Sequence, residues 1–339
     1  MANIVKFGGG GGGKGSEVIV ETGTGAVVTA TTTGVTITAV AGSDGRATLK
    51  LVKPGEWSIS AEKDGAESDT ITVVVPQIYS LPLVLEASTT PKPGVSYTNG
   101  LGGLTAEKVS QFAAVISNNS DITNETSAVY IDFGNVHRKV SVGDQVTLAL
   151  NGTDYTFDVI GFNHDTLTTP TAYGATTKTG KAGITFQMHD LFATTYQMNS
   201  TATNIGGWKS SAMRTSTMST MKGYLPAAWQ TVIKPVNKVS GADSGSSSGT
   251  ETVSDSCFLL AEIEIFGSTT HSVSGEGTQY AYYKAGNSRV KNKGGSAYGW
   301  WERSLRSGRN ENFCYVNESG RAGSYPAYGR FGVAFGFCV

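Results

Sequence analysis

Between Glu17 and Val75 apolar and polar residues alternate through "EVIVETG", "AVVTATTTG" and "VTITAVAGSDGRATLKLVKPGEWSISAEKDGAESDTITVVV". A period of two sends every second side chain to the same side of an extended backbone, so each run reads as a strand with one face buried. "GSDG", "KPGE" and "EKDGAE" supply the turns between runs, because Gly, Pro and Asp accept the backbone angles a reversal needs. The expectation is an all-β domain over residues 15–82. Ahead of it, "MANIVKF" is a short alternating piece leashed to the run Gly8–Gly13. A strand on a flexible tether predicts an attachment arm over residues 1–14 that pairs with another chain.

A chain of 339 residues has room for two or three domains and a substantial core. Its 44 Gly and 16% charged residues, with abundant Ser and Thr, fit a β-rich protein. The formal net charge of −1 provides no global field to draw in nucleic acid or an anionic membrane, which argues against both as partners. No stretch reaches the length of a membrane span, and the first residues lack the apolar segment of a secretory signal. "GGGGGGKG" lacks the preceding buried strand, the helix and the final Ser or Thr of a phosphate loop and reads as a linker. Cys257, Cys314 and Cys338 are too few and too widely spaced for a disulfide framework or a zinc site. They read as reduced buried thiols, with a Cys314–Cys338 bridge as the alternative if their strands are neighbours.

"QIYSLPLVLEASTTPKPG" leads out of the first domain and predicts a linker over residues 83–103. Beyond it, "LTAEKVSQFAAVISNN" is a helix: Thr105 caps it, and Val109, Phe112, Ala113 and Ile116 form one apolar stripe. Strands follow, with "NGTD" as a hairpin turn. "GGWKSSAMRTSTMSTMKGYLPAAWQTVIKPVNK" reads as mostly helical, with Met213, Met218 and Met221 as core, and "SCFLLAEIEIFG" as a buried strand. Two helices among many short strands and loops predict an α+β domain over residues 104–339. His164–Asp165 and His189–Asp190 carry metal-ligand residue types, but four scattered His without a third convergent group favour structural roles. No catalytic, metal or cofactor residues are assigned.

The last part of the chain breaks every period. "RSGRNENFCYVNESGRAGSYPAYGRFG", Arg306–Gly332, is irregular and rich in Arg and Tyr, yet lies between Trp300–Trp301 and the apolar "GVAFGFCV". Five of the nine Arg (Arg303, Arg306, Arg309, Arg321, Arg330) fall in this final part, whereas no Lys follows Lys293. An ordinary exposed loop mixes the two cations. From Leu305 to Phe331 there is also no Gln, Met or Trp.

These segments resemble known families. "DGRATLKLVKPGEWSISAEKDG" is similar to small immunoglobulin-like or prealbumin-like sandwiches, which implies a spacer domain with Trp57 in its core. "KVSVGDQVTLALNGTDYTFDVIGFNHD", the Met-rich stretch, "DSCFLLAEIEIFG" and "EGTQYAYYKAGNSRVKNKGGSAYGWWERS" occur in an order that looks like a C-type-lectin-fold domain of gut phages and bacteria. The ending "GWWERS…NFCYVNESGRA…GVAFGFCV" resembles the variable proteins diversified by retroelements, a class that includes phage tail receptor-binding proteins. In those systems template adenines are miscopied, so an Asn codon ending in C becomes Arg, Tyr, Gly, Ser, Leu, Pro or Phe, but never Lys, Gln, Met or Trp. Glu311 and Glu318 do not fit that route.

The resemblance implies a diversified region over about 300–339 whose contact set is Leu305, Arg306, Arg309, Asn310, Tyr315, Arg321, Ser324, Tyr325, Tyr328, Arg330 and Phe331. Tyr and Arg suit recognition because they bring large, amphipathic area with few rotors to freeze. For Tyr315 and Phe331 a core position is the competing reading. Trp300, Trp301, Phe313, Cys314, Phe335 and Cys338 would be the scaffold. The implied protein is a non-enzymatic, homotrimeric adhesin of a phage tail tip, located in the virion. Its expected partners are a bacterial surface receptor, protein or glycan, and other tail proteins reached through the N-terminal arm. The sequence implies no cofactor and no membrane insertion. A bacterial surface protein of the same fold, or an oxidase of the formylglycine-generating type using Cys314 and Cys338, are the alternatives.

Overall fold

The computed structural model describes residues 3–8, 16–53, 55–64, 66–67, 70–75, 85–133, 136–242 and 249–339. Strand occupies 39% and helix 15%, in several sheets none of which closes into a barrel among the described residues, so the protein is β-rich and multidomain. Two compact units span Met1–Pro82 and Leu83–Val339.

In the first unit Asn3–Gly8, Ser16–Glu21 and Arg46–Leu51 make one antiparallel sheet. Val35–Val40, Val27–Thr32 and Gly55–Lys63 make a second, with Ala66–Glu67 and Ile71–Val75 both pairing Gly55–Lys63. Val18, Val20, Leu49 and Leu51 of the first sheet share a core with Val28, Ala30, Trp57, Ile59 and Val73 of the second. Trp57 is fully buried, and its indole N–H donates to the Lys53 carbonyl at 2.8 Å, so the one polar atom of the largest core side chain is satisfied. The strand expected to reach another chain has one edge paired within its own unit, with Ile4 opposite Val20. The polyglycine run from residue 9 onward lies outside the described residues.

The second unit begins earlier than the sequence suggests. Glu86–Ser88 and Thr98–Asn99, inside the expected linker, are the two edge strands of a four-stranded sheet whose centre is Ala128–Phe133 and Val136–Ser141. The helix Ala106–Ser117 forms as predicted, with the Thr105 hydroxyl accepting from the Lys108 N–H at 3.2 Å and Val109, Phe112, Ala113 and Ile116 buried. A five-stranded antiparallel sheet runs in the order Gln145–Leu150, Thr153–Phe162, Ile184–Met188, Gly336–Cys338, Cys257–Phe258. Its first hairpin turns on Asn151 and Gly152, both at positive φ (47° and 83°), the pair of angles that matches the strands' twist.

One segment follows its helical expectation in pieces and one differs from expectation. The Met-rich stretch breaks into four short helices, Gly207–Ser210, Met213–Thr217, Met218–Tyr224 and Ala227–Val232, with Pro226 ending the third, and its last residues join the strand Val236–Gly241. Met213, Met218 and Met221 remain core. "SCFLLAEIEIFG" is strand only at Cys257–Phe258; Glu262–Phe266 is a helix. The Glu264 carboxylate caps it by accepting from the Ala261 N–H at 3.0 Å, and Gly267 ends it in the left-handed region at φ 75°. These local hydrogen bonds outweigh the strand preference of two Ile.

Candidate functional site

The final 40 residues fold as a three-stranded antiparallel sheet, Trp300–Leu305, Asn312–Val316 and Ala322–Pro326, followed by a loop into the C-terminal strand. Ladder bonds at Asn317–Arg321 and Glu311–Ala327 (2.9 Å each) fix the alternation, so Phe313–Tyr325 and Tyr315–Gly323 are the hydrogen-bonded pairs between them. The peptide groups of Ala322, Ser324 and Pro326 therefore point away from the ladder, and Pro326, with no N–H, stands where none is needed.

One face of this sheet is aromatic. Phe331 sits 4.6 Å from Tyr315, 4.8 Å from Trp301 and 5.1 Å from Tyr325, centroid to centroid. Such pairs add about 0.5–1.5 kcal/mol each beyond the area they bury. Tyr315 and Phe331 are half-buried, between the two readings made for them: one part of each ring packs and the other stays accessible. Burial also pushes the Tyr315 hydroxyl above its ordinary pKa. On the opposite face the Ser324 hydroxyl accepts from Arg306 Nη1 at 2.6 Å and from Asn312 Nδ2 at 3.3 Å. Ser324 and Tyr325 are consecutive, so the polar and aromatic sides adjoin along the edge strand.

Arg309, Asn310, Arg321, Tyr325, Tyr328 and Arg330 are exposed, and Arg306 and Ser324 are half-buried. Trp300, Trp301, Phe313, Cys314, Phe335 and Cys338 are fully buried. Leu305 is a correction. It is fully buried, and its side chain fills the space left by Gly241 and Gly207, where an added Cβ would stand 3.0 Å and 3.5 Å from it. Arg303 is likewise interior rather than part of the exposed Arg set.

The loop after the edge strand packs equally closely. A Cβ on Gly329 would lie 2.4 Å from Tyr325 Cδ1 and 3.1 Å from Phe331 Cε2. Gly329→Ala is expected to displace both rings and lower stability by about 1–3 kcal/mol. Gly223→Ala, on a helix with no atom within 4 Å of the new Cβ, should be neutral or gain up to about 1 kcal/mol. Urea unfolding of the two variants checks this, and equal midpoints would refute the close packing.

Residues that the sequence did not single out complete the strip. Ile205 (66% exposed) follows Asn204, whose side chain donates to the Arg309 and Asn312 carbonyls at 2.7 Å each. Val290 stands against Gly320 in the Asn317–Arg321 turn, and the Tyr298 hydroxyl reaches the Arg330 carbonyl at 3.5 Å. Gln197 Nε2 bonds the Tyr328 carbonyl. Exposed Ile205, Val290 and Tyr298 are visible in the sequence only as unremarkable apolar residues; nothing local says that they border this segment.

The frame behind the strip is a buried ionic network. Glu264 bridges Lys238 (2.8 Å) and Arg303, whose Nη2 bonds its Oε1 at 2.8 Å; Lys238 also bonds Asp165 at 2.7 Å and Tyr280 at 3.1 Å. Arg303 further donates to the carbonyls of Val239, Leu259 and Glu276 at 2.9–3.2 Å, tying its strand to three other segments of the chain. The Glu276 carboxylate accepts from the Gly241 N–H at 2.9 Å and the Ser304 hydroxyl at 2.6 Å. Lys238 beside Asp165, and Arg303 and Lys238 beside Glu264, hold these two carboxyls below their ordinary range despite burial. Burial pushes Glu276 up to about 7 and Glu302 well above its usual value, and the Glu302 oxygens have no hydrogen-bond partner.

All three cysteines are free and buried; Cys314 and Cys338 lie in different sheets and are not bridged. Burial pushes the Cys314 and Cys338 thiols well above their ordinary range, keeping them protonated. His164 stacks on Tyr280 at 3.8 Å beside the network, His189 bonds Asp158 at 2.9 Å, and Asp190 accepts from the Asn292 N–H at 2.8 Å. Two open polar clefts share no residue with the strip. In each the buried carboxylate is already ion-paired, Asp132 with Lys92 and Asp255 with Arg214.

Fold and site together define a β-rich multidomain protein that presents a Tyr- and Arg-bearing strip on a braced sheet. Residues 182–339 match the model of a family described as a domain of unknown function (DUF6273). That match takes in the strip and most of the network, while Asp165 precedes it. No curated protein and no solved structure matches the chain.

Proposed function

We propose that this chain is a binding protein, a phage tail-tip adhesin that grips a bacterial surface receptor through the strip around Tyr325. On this reading the second unit is a C-type-lectin-like domain with a diversified C-terminal face, the first is a spacer, and copies act together as a trimer. The observation that carries it is the contrast across one short sheet. Tyr325 and Tyr328 are 42% and 46% exposed while the side chains behind them, Trp301 and Phe313, are fully buried. A surface residue on a stiff support can change identity without unfolding the core, which is what a changeable binding face needs. Multiple copies on one particle would raise the effective affinity of weak single sites.

Substituting Tyr325, Tyr328 and Arg330 together by Ala tests this. The triple variant should keep its melting temperature within a few degrees, since these side chains are exposed, and should lose attachment of the particle to its host. Undiminished adsorption with intact folding overturns the site.

A further inference from the structure

We infer that the partner's contact face is an acidic patch on a folded protein that also offers apolar side chains; this rests on the reading of the strip as the binding face. The first observation is charge. Among the described residues Arg46, Arg214 and Arg303 are each ion-paired with a carboxylate; Arg138 and Arg289 have no carboxylate within 4.0 Å, and neither have Arg306, Arg309, Arg321 and Arg330, which stand together in one segment. Arg306 and Arg330 spend single donors on Ser324 and on the Thr195 carbonyl (3.3 Å), leaving most of each five-donor fork unused. The segment Leu305–Phe331 holds these four Arg and two Glu, while the rest of the chain has 22 basic and 25 acidic residues. The strip is thus the positive part of an otherwise negative molecule, and its cations are unneutralised.

The second observation is what stands beside each cation. Arg309 adjoins exposed Ile205 through Asn204, Arg321 adjoins Val290 through the Asn317–Arg321 turn, and Arg330 adjoins Tyr298. Arg306 bonds Ser324, the residue before Tyr325, from the opposite face of the same edge strand. The backbone at or next to each of Arg309, Arg321 and Arg330 therefore borders a segment that carries an exposed apolar residue. A guanidinium fork selects carboxylates by paired hydrogen bonds, and an adjacent apolar patch selects something that must lose water. An acidic polysaccharide offers the carboxylates but no aliphatic or aromatic side chains to cover Ile205 and Val290. Arg309 and Arg321 flank a five-residue strand, so they stand about 17 Å apart or more at the usual rise per residue. One standard protein interface, about 800 Å² per partner and thus about 28 Å across, spans that distance.

The test uses the full chain as target and a display library of one small folded scaffold with a randomised surface as probe. Selected scaffolds should be enriched in Asp and Glu together with aromatic or aliphatic residues. Their association rate should fall about 10-fold between 50 and 500 mM NaCl, and R309E/R321E/R330E should weaken them about 100-fold, mainly through association. These three side chains are exposed, and a thermal melt confirms that the variant folds. Selected surfaces without acidic excess, or indifferent to the charge reversal, overturn the inference. So does polygalacturonate binding the chain as tightly as the best scaffold and displacing it. If charge reversal has no effect while the Tyr325/Tyr328/Arg330 substitution still abolishes attachment, the binding face stands and only the acidic partner fails.

Discussion

Glu264→Ala will unfold this protein at markedly lower denaturant, with a loss of about 3–5 kcal/mol. Glu264 is buried between Lys238 and Arg303, themselves buried, and it supplies the carboxylate oxygens that both cations touch. Removing it leaves two positive charges out of water with Asp165 as the remaining ionised partner on the Lys238 side. The penalty is the desolvation of an uncompensated charge rather than the worth of one ion pair. For that reason the quadruple replacement Asp165→Asn, Lys238→Met, Glu264→Leu, Arg303→Met should cost much less than the single one, because no member of the network is left charged without its partner. Equilibrium urea unfolding of both variants decides the matter; a quadruple variant weaker than Glu264→Ala would show that the network holds the strands by geometry that uncharged side chains cannot replace. The expected secondary effect is on the strip, since Arg303 precedes Leu305 and ties that strand to the carbonyls of Val239, Leu259 and Glu276.

Replacing Glu302 by Met should stabilise the protein by about 1–3 kcal/mol, the usual cost of a buried polar group with no hydrogen-bond partner. Glu302 is fully buried, neither oxygen has a partner, and the neighbouring Glu262 and Glu276 disfavour its charge further. Glu276 behaves in the same direction: burial raises it from the ordinary 4.5 to about 7. An acid raised in the folded state gives its full stability below the unfolded value and loses it as pH climbs through the folded value. Stability should therefore decline between about pH 4.5 and 7 on account of Glu276. Glu276→Gln, which keeps an acceptor for the Gly241 N–H, should remove about 3 kcal/mol of that decline. Asp165 and Glu264 are lowered, so their contribution is present above the unfolded carboxylate range and is lost on the acid side. Urea midpoints at pH 5 and pH 8 read the Glu276 effect, and a third at pH 3 reads the acid-side loss; a wild-type to Glu276→Gln difference that does not change between pH 5 and 8 would refute the assignment.

What was legible in the sequence was whatever depends on neighbours along the chain. The alternation of Glu17–Val75 specifies strands because period two is a local property, and Thr105 with its apolar stripe specifies a helix for the same reason. The Asn151–Gly152 turn and the burial of Trp57, Trp300 and Trp301 follow from residue chemistry alone. The Lys-free, Arg-rich composition of residues 305–331 likewise needs no coordinates.

Only the tertiary structure decided which of those residues face water. Leu305 and Arg303 stand within six positions of Arg306 and Arg309, yet the first two are interior and the second two are not. The difference comes from Gly207, Gly241 and Glu264, all at least 39 positions away, which make room for the one and neutralise the other. Contacts between remote segments also brought Ile205, Val290 and Tyr298 to the strip. Burial, charge pairing and surface adjacency are sums over everything packed around a side chain, and no window of the sequence contains those neighbours.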